Sequence, residues 1–145
     1  MNRDEARAVV ERFYADIWNR HDKSAIPALL CDDFTFRGSL GDVKSGHDGF
    51  RSYLDDVHTA LGEFRCEIVD LVTEPPKAFA RMRFSGLHRR NLFGFEPTGG
   101  HVEWAGAALF TFSGVRIRDL WVLGDVHGLV ELLRHHANDN ARHPS

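Results

Sequence analysis

Phe64 to His88 reads FRCEIVDLVTEPPKAFARMRFSGLH, and its periodicity decides the fold class. From Phe64 to Thr73 side chains alternate with a period of two, which predicts a strand. Glu74-Pro75-Pro76-Lys77 then turns the chain, because proline cannot donate to a sheet ladder. Ala78 to His88 is a second long strand in which Ala78, Ala80, Met82, Phe84 and Gly86 share one face, and the same count puts His88 on it. Downstream, Asn91–Gly100 is a Gly/Pro loop and Val102–Phe112, with Trp104, a third strand. Ser113-Gly114 makes a tight turn into a fourth, Val115–Leu123.

Upstream the period is helical. Val9, Val10, Phe13, Tyr14, Ile17 and Trp18 form the apolar face of a first helix that ends near Asn19–Asp22. Ser24 reads as an N-cap, with Pro27 in the first turn of a short second helix reaching Leu30. Asp33–Arg37, with Phe34 and Phe36 alternating, is a brief strand. Ser45 caps a third helix whose apolar face is Phe50, Tyr53, Leu54, Val57 and Leu61. Val126–Leu133 is a short helix, and from His135 to Ser145 periodicity is lost, predicting a flexible tail. Helices followed by hairpin-linked strands specify an α+β domain over residues 1–134 with a mainly antiparallel sheet. Bending at Gly86 and Gly106 would wrap that sheet around a helix into a cone-shaped barrel enclosing a pocket.

The chain's 145 residues suit one domain, which needs neither disulfide nor metal to fold. A net charge of -3 argues against a non-specific nucleic-acid partner. Cys31 and Cys66 have no ligand spacing around them and read as reduced, buried thiols, which suits the cytoplasm. The N-terminus enters an amphipathic helix without an apolar leader, and no run reaches the ~20 apolar residues of a membrane span.

Strand parity nominates the interior. In the fourth strand Val115, Ile117, Trp121 and Leu123 share a face with Asp119 and, beyond the strand, Asp125. A carboxylate among aromatics is partly desolvated and becomes more basic, as an acid/base group requires. The bland alternative is that Asp125 caps the helix next to it. His88 is either a proton shuttle or donor to a substrate carbonyl, or a histidine satisfied by the adjacent loop. Tyr14, Trp18, Phe34, Phe36, Phe50, Tyr53, Phe84, Trp104 and Trp121 are the aromatic candidates for a pocket wall, although aromatics at such spacings are more often plain core. No metal site is expected: His135-His136 is the only close histidine pair, and Asp125-x-His127 is a weak signal. No Gly-rich phosphate loop or G-x-S-x-G elbow is present, so nucleotide-dependent and serine-hydrolase readings have no support.

Four segments in order resemble one family. FYADIWNRHDKSAIPALLCDDFTFRG, SGHDGFRSYL, SGLHRRNLFGFEPTGGHVEW and RIRDLWVLGDVHGLVELL are similar to the opening, third helix, Pro-Thr-Gly loop and closing strand of SnoaL-like polyketide cyclases of the nuclear-transport-factor-2-like superfamily. The resemblance runs from about Glu5 to Leu133 and implies a cone-shaped α+β barrel, a homodimer packed through the outer sheet face, and a cofactor-free intramolecular aldol condensation. It aligns Asp125 with the family's acid/base aspartate and His88 with the histidine before the Pro-Thr-Gly loop. Glu96 and the bulky Asn91-Leu92-Phe93 depart from the pattern and point to a differently gated ligand.

Three functions stay open: a cyclase acting on a small hydrophobic molecule through Asp125; an isomerase resembling the ketosteroid isomerases, or an epoxide hydrolase, of the same fold; and a non-catalytic binding module. A desolvated Asp125 with a partner favours chemistry, and a wholly apolar pocket favours binding. Phe79, Leu87, Val102 and Leu120 are expected on the outer face, where a second copy would cover them.

Overall fold

The computed structural model describes residues 1–142. Helix α1, Arg3–Arg12, opens on a capping box in which the Asn2 side chain accepts from the Glu5 N–H and the Glu5 carboxylate accepts from the Asn2 N–H. It widens into a π-helical stretch, Phe13–Asn19, whose end is marked by the Arg20 N–H donating to the Ala15 carbonyl, five residues back. Phe13, Tyr14, Ile17 and Trp18 are the buried residues of this stretch. Asn19 fastens this stretch to the sheet: its amide donates to the Cys66 carbonyl at 2.9 Å and its carbonyl accepts from the Cys66 N–H at 2.7 Å.

A 3-10 turn, Lys23–Ala25, and a short α2, Ile26–Leu29, come next. Asp22, not Ser24, caps the turn, its carboxylate accepting from the Ser24 N–H. Strand β1, Leu30–Arg37, starts three residues before the expected Asp33. The short β2, Val43–Ser45, has no sequence signal of its own and leads into α3, Gly46–Ala60. Ser45 does precede α3, but its hydroxyl makes no capping bond. The long strands are β3 Leu61–Glu74, β4 Lys77–His88, β5 His101–Ser113 and β6 Arg116–Gly124.

These form one curled, unclosed sheet in the order β2-β1-β6-β5-β4-β3. All neighbours are antiparallel except β1 and β6, which run parallel, so the sheet is mixed. Curvature comes from irregularities in β3 between Gly62 and Arg65 and between Ile68 and Asp70, with Glu63 at φ 53°. It also comes from Gly106: a Cβ there would fall on the ring of Phe84, which crosses the strand at that point. The inner face is greasy and packs on α1, the π-helical stretch and α3, with Phe13, Phe34, Phe50 and Phe110 fully buried.

One break in alternation corrects the parity of β6. Thr111 pairs with Asp119 but Phe112 pairs with Ile117, so Arg118 is an extra residue that flips every side chain after it. Ile117, Leu120 and Val122 therefore face the core, while Trp121 and Leu123 face outward. The Arg37 guanidinium sits over the Trp121 ring at 5.6 Å. Asp119 accepts from the Thr35 hydroxyl across the parallel pair, and Arg116 reaches Asp32.

The C-terminal segment is also corrected. Helix α4 runs from Val126 to Arg142, well past the expected stop at Leu133. A His135–Asp139 pair one turn apart supports it, and it is tied to the sheet by bonds from the His136 ring to the His101 carbonyl and from the Asn140 amide to the Thr98 carbonyl. Of the expected tail, residues 143–145 lie outside the described residues. No helix among the described residues is long and apolar enough to cross a membrane.

Candidate functional site

The curled sheet and the helices leave a narrow chamber between them. The π-helical stretch contributes Tyr14 and Trp18, β1 contributes Phe36, and α3 contributes Tyr53 and Val57. Phe64 and Cys66 come from β3, Phe84 from β4, Trp104 from β5, and Leu120 with Val122 from β6; Ser39 and Leu40 complete the wall after β1. Leu40, Tyr53 and Val57 also border an outer cleft with Asp42, Asp56, Asn91 and Leu92, so that cleft adjoins the chamber. None of the chamber's lining residues carries a carboxylate, imidazole, amine or guanidinium.

The polar groups that remain are held neutral. Burial pushes the Tyr14 phenol well above its ordinary range, and the nearby Cys66 sulfur adds to the shift. Burial does the same to the Cys66 thiol, leaving it a poor nucleophile near neutral pH. Tyr53 is also raised, chiefly by burial and then by Asp42, although Ser39 and the Leu40 backbone offer its oxygen hydrogen bonds. Tyr53 reaches this position because Gly38 has no side chain where the phenol lies.

Of the aromatics nominated from sequence, Tyr14, Trp18, Phe36, Tyr53, Phe84 and Trp104 line the chamber. Phe34 and Phe50 lie behind it as core; the Phe50 ring meets Phe13, Trp18, Phe34 and Phe36 at centroid distances of 5.8, 5.9, 5.5 and 5.1 Å. Trp121 is outside altogether, because the extra residue at Arg118 turns it away from the core. Sequence reading missed Cys66, Phe64 and Val122. The alternation of β3 carried the signal for the first two, and the Arg118 bulge hid the third.

Asp125 is exposed and does not line the chamber. Its carboxylate accepts from the Gly128 N–H at 2.9 Å while its carbonyl accepts from Leu129, the bonding of an N-cap on α4. A Cβ on Gly128 would meet that carboxylate in its present position. The expectation of a buried, desolvated Asp125 is therefore overturned; the capping alternative describes what the residue does in the fold.

His88 is fully buried at the end of β4, behind the loop rather than on the chamber wall. Its Nδ1 faces the Thr98 hydroxyl at 3.0 Å and accepts from the Thr98 N–H at 3.2 Å. That backbone donor assigns the proton to Nε2, which has no hydrogen-bond partner among the described residues. Around it the Gly99 N–H donates to the His88 carbonyl and the His88 N–H to the Gly100 carbonyl, so the imidazole organises the loop Arg89–Gly100. Desolvation lowers the His88 pKa from 6.5, with His136 lowering it further and the Arg90 and Phe95 carbonyls opposing. His58 is lowered for the same first reason, with His21 stacked on it at 4.0 Å.

A depressed histidine pKa means that the unfolded chain binds the proton more readily than the folded one. Stability from these two histidines is complete above the ordinary value of 6.5 and is lost as pH falls through it toward the folded pKa. The melting temperature should drop as pH is lowered from about 7.5 to about 5, and His88→Gln and His58→Gln should each flatten that slope. A thermal melt series across pH checks this; an unchanged slope in both variants contradicts it.

The comparisons with known proteins agree with this fold. A family model described as SnoaL-like polyketide cyclase matches residues 8–133. No curated protein sequence matches the chain. Among solved structures, TsrD from Streptomyces laurentii superposes with TM-score 0.81 at 23% identity, covering 92% of this chain and 97% of its own. AclR from Streptomyces galilaeus gives 0.79 at 20% identity over 92% and 87%. A SnoaL-like polyketide cyclase from Agrobacterium tumefaciens gives 0.75 at 19% identity over 88% and 96%. At these identities the superpositions speak for the fold, and the model match over residues 8–133 speaks for descent. The chain belongs to the SnoaL-like polyketide cyclase family.

Proposed function

We propose that this protein binds a small, uncharged, mostly apolar molecule in the chamber between α3 and the curled sheet. The observation that carries this reading is a wall built of aromatic and aliphatic side chains with no charged group on it. A charged ligand would lose its hydration there with no counter-charge to replace it. Val57 borders both the chamber and the outer cleft, so its side chain stands on the route in. The neutral dye N-phenyl-1-naphthylamine is expected to bind wild-type protein saturably with a blue shift. Val57→Trp should weaken that binding by at least about tenfold at an unchanged fold by circular dichroism. Equal binding by the variant would mean that the dye sits elsewhere and that the chamber is not the site.

Family membership favours a second step, cofactor-free acid/base ring closure of the bound molecule, with Asp125 as acid/base and His88 as donor to a substrate carbonyl. Asp125 matches the family's acid/base aspartate, yet its carboxylate is engaged at the start of α4. Catalysis through it requires a substrate long enough to reach that helix end. Asparagine preserves capping, so Asp125→Asn should leave the melting temperature unchanged. On a substrate that the protein turns over, the same variant should lose roughly 10²–10⁴-fold in rate. Full activity in Asp125→Asn would leave the residue a cap and nothing more, with binding in the chamber unaffected.

The working form we propose is a homodimer through the outer sheet face. Val72, Phe79, Leu109 and Trp121 are successive cross-strand partners, and they stand 62, 45, 38 and 42% exposed. This apolar row crosses four strands, and Leu123 extends it. Of the other residues expected on this face, Val102 and Leu120 are buried inward and Leu87 is half-covered, so the row is composed differently from the sequence expectation. Light scattering at micromolar concentration should give twice the 16.4 kDa chain mass, and Phe79→Glu should give the monomer. A wild-type monomer would refute the dimer without touching the chamber.

A further inference from the structure

Leu40, Tyr53 and Val57 border both the chamber and the outer cleft, and so form the partition between the two spaces. Two of the three are fixed in place. Tyr53 and Val57 are buried on α3, and the Tyr53 ring is packed against Phe36 at 5.0 Å and Trp18 at 6.0 Å. Leu40 is half-buried and belongs instead to the turn of residues 38–42 that joins β1 to β2.

This turn can move without disturbing the sheet. Among the described residues its backbone hydrogen bonds close on the turn itself, from the Gly38 N–H to the Asp42 carbonyl at 2.9 Å and from the Gly41 N–H to the Gly38 carbonyl at 3.0 Å. Gly41 stands at φ 97°, where a side chain would be strained. The base of the turn is held more firmly: Arg37 pairs with Val43 across β1 and β2, and its guanidinium donates to the Val122 carbonyl. The tip rests on two neighbours. Ser39 and the Leu40 backbone offer hydrogen bonds to the Tyr53 oxygen. The Ser39 carbonyl lies 2.6 Å from where a Cβ on Gly124 would stand, so the turn sits on bare backbone at the end of β6. Raising the tip breaks no backbone–backbone hydrogen bond to sheet or helix, and segments of that kind open at low cost.

Resting on the proposal that the chamber binds a small apolar molecule, we propose that the turn of residues 38–42 is a lid over the chamber and that Leu40 is the side chain that closes it. With the lid down, Leu40 completes the apolar wall; with it raised, the chamber opens into the outer cleft beside Val57. The lid governs how fast a ligand enters and leaves, because the association rate is scaled by the fraction of molecules whose entrance is open. A residue that only touches the ligand behaves differently: truncating it speeds departure and leaves arrival as it was.

Stopped-flow mixing with N-phenyl-1-naphthylamine separates the two roles. Leu40→Ala should raise the association rate constant of the dye by about fivefold or more, with dissociation faster by at least as much. Gly124→Ala acts from outside, since Gly124 lines neither the chamber nor the cleft and a Cβ there displaces the Ser39 carbonyl. It should raise both rate constants by about threefold or more and leave the dissociation constant within about twofold of wild type. Both variants should keep the wild-type circular dichroism spectrum; if Gly124→Ala does not fold, Leu40→Ala alone decides. An unchanged association rate constant in Leu40→Ala, with only dissociation faster, makes Leu40 a wall residue and overturns the lid, while the dye binding itself keeps the chamber reading standing. A folded Gly124→Ala protein that matches wild type in both rate constants overturns the lid as well. If the wild-type protein does not bind the dye saturably, the chamber reading fails and the lid fails with it.

Discussion

The ring of Phe50 is the contact on which the rest of the molecule is arranged. It projects from α3 and meets Phe13 and Trp18 of the π-helical stretch and Phe34 and Phe36 of β1, each with ring centroids within 6 Å. One side chain thereby joins three elements far apart in sequence, and the sheet curls over the cluster they form. Edge-to-face packing of this kind adds to the area already buried and is particular about direction. The Asn19 clamp on Cys66 then sets how far the π-helical stretch can slide along β3. Between the cluster and the curl a gap is left, and the gap is the chamber.

Burial sets the chemistry of that gap. Phenol and thiol groups that would titrate near the upper end of the ordinary range are driven further from ionisation, since a low-dielectric wall disfavours the charged form. The chamber wall thus carries neutral groups only. Carboxylates and an imidazole lie around it: Asp42 and Asp56 in the outer cleft, Asp125 at the start of α4, and His88 at the end of β4. The chamber and these polar groups are therefore separated in space.

Capping and catalysis make opposite demands on a carboxylate, which is why Asp125 is informative. An N-cap works by accepting backbone N–H groups at a solvated helix end, whereas a general base needs lone pairs free and hydration reduced. The Gly128 N–H and the space cleared by that residue's missing side chain favour the first. His88 is placed by similar economy, with one ring nitrogen committed to Thr98 so that the loop closes over the end of β4.

By itself the sequence determined the features that local periodicity and turn chemistry dictate. The greasy row Ala78, Ala80, Met82, Phe84, Gly86 and His88, the Pro75-Pro76 turn, and the apolar face of α3 were all legible, because neighbouring residues alone set a period of two or of 3.6. So was the family, through segments spread over residues 8–133. Only the tertiary structure decided the rest. The extra residue at Arg118 is a matter of pairing between β5 and β6, and it sent Trp121 outward and Val122 inward against the simple count. The parallel pairing of β1 with β6, the strand β2, and the extension of α4 to Arg142 through contacts with the loop likewise depend on partners distant in sequence. Burial has the same origin: nothing in the residues beside Tyr14 or Trp104 says that each ends inside without a partner, because solvent is excluded by the whole fold and not by any one segment of it.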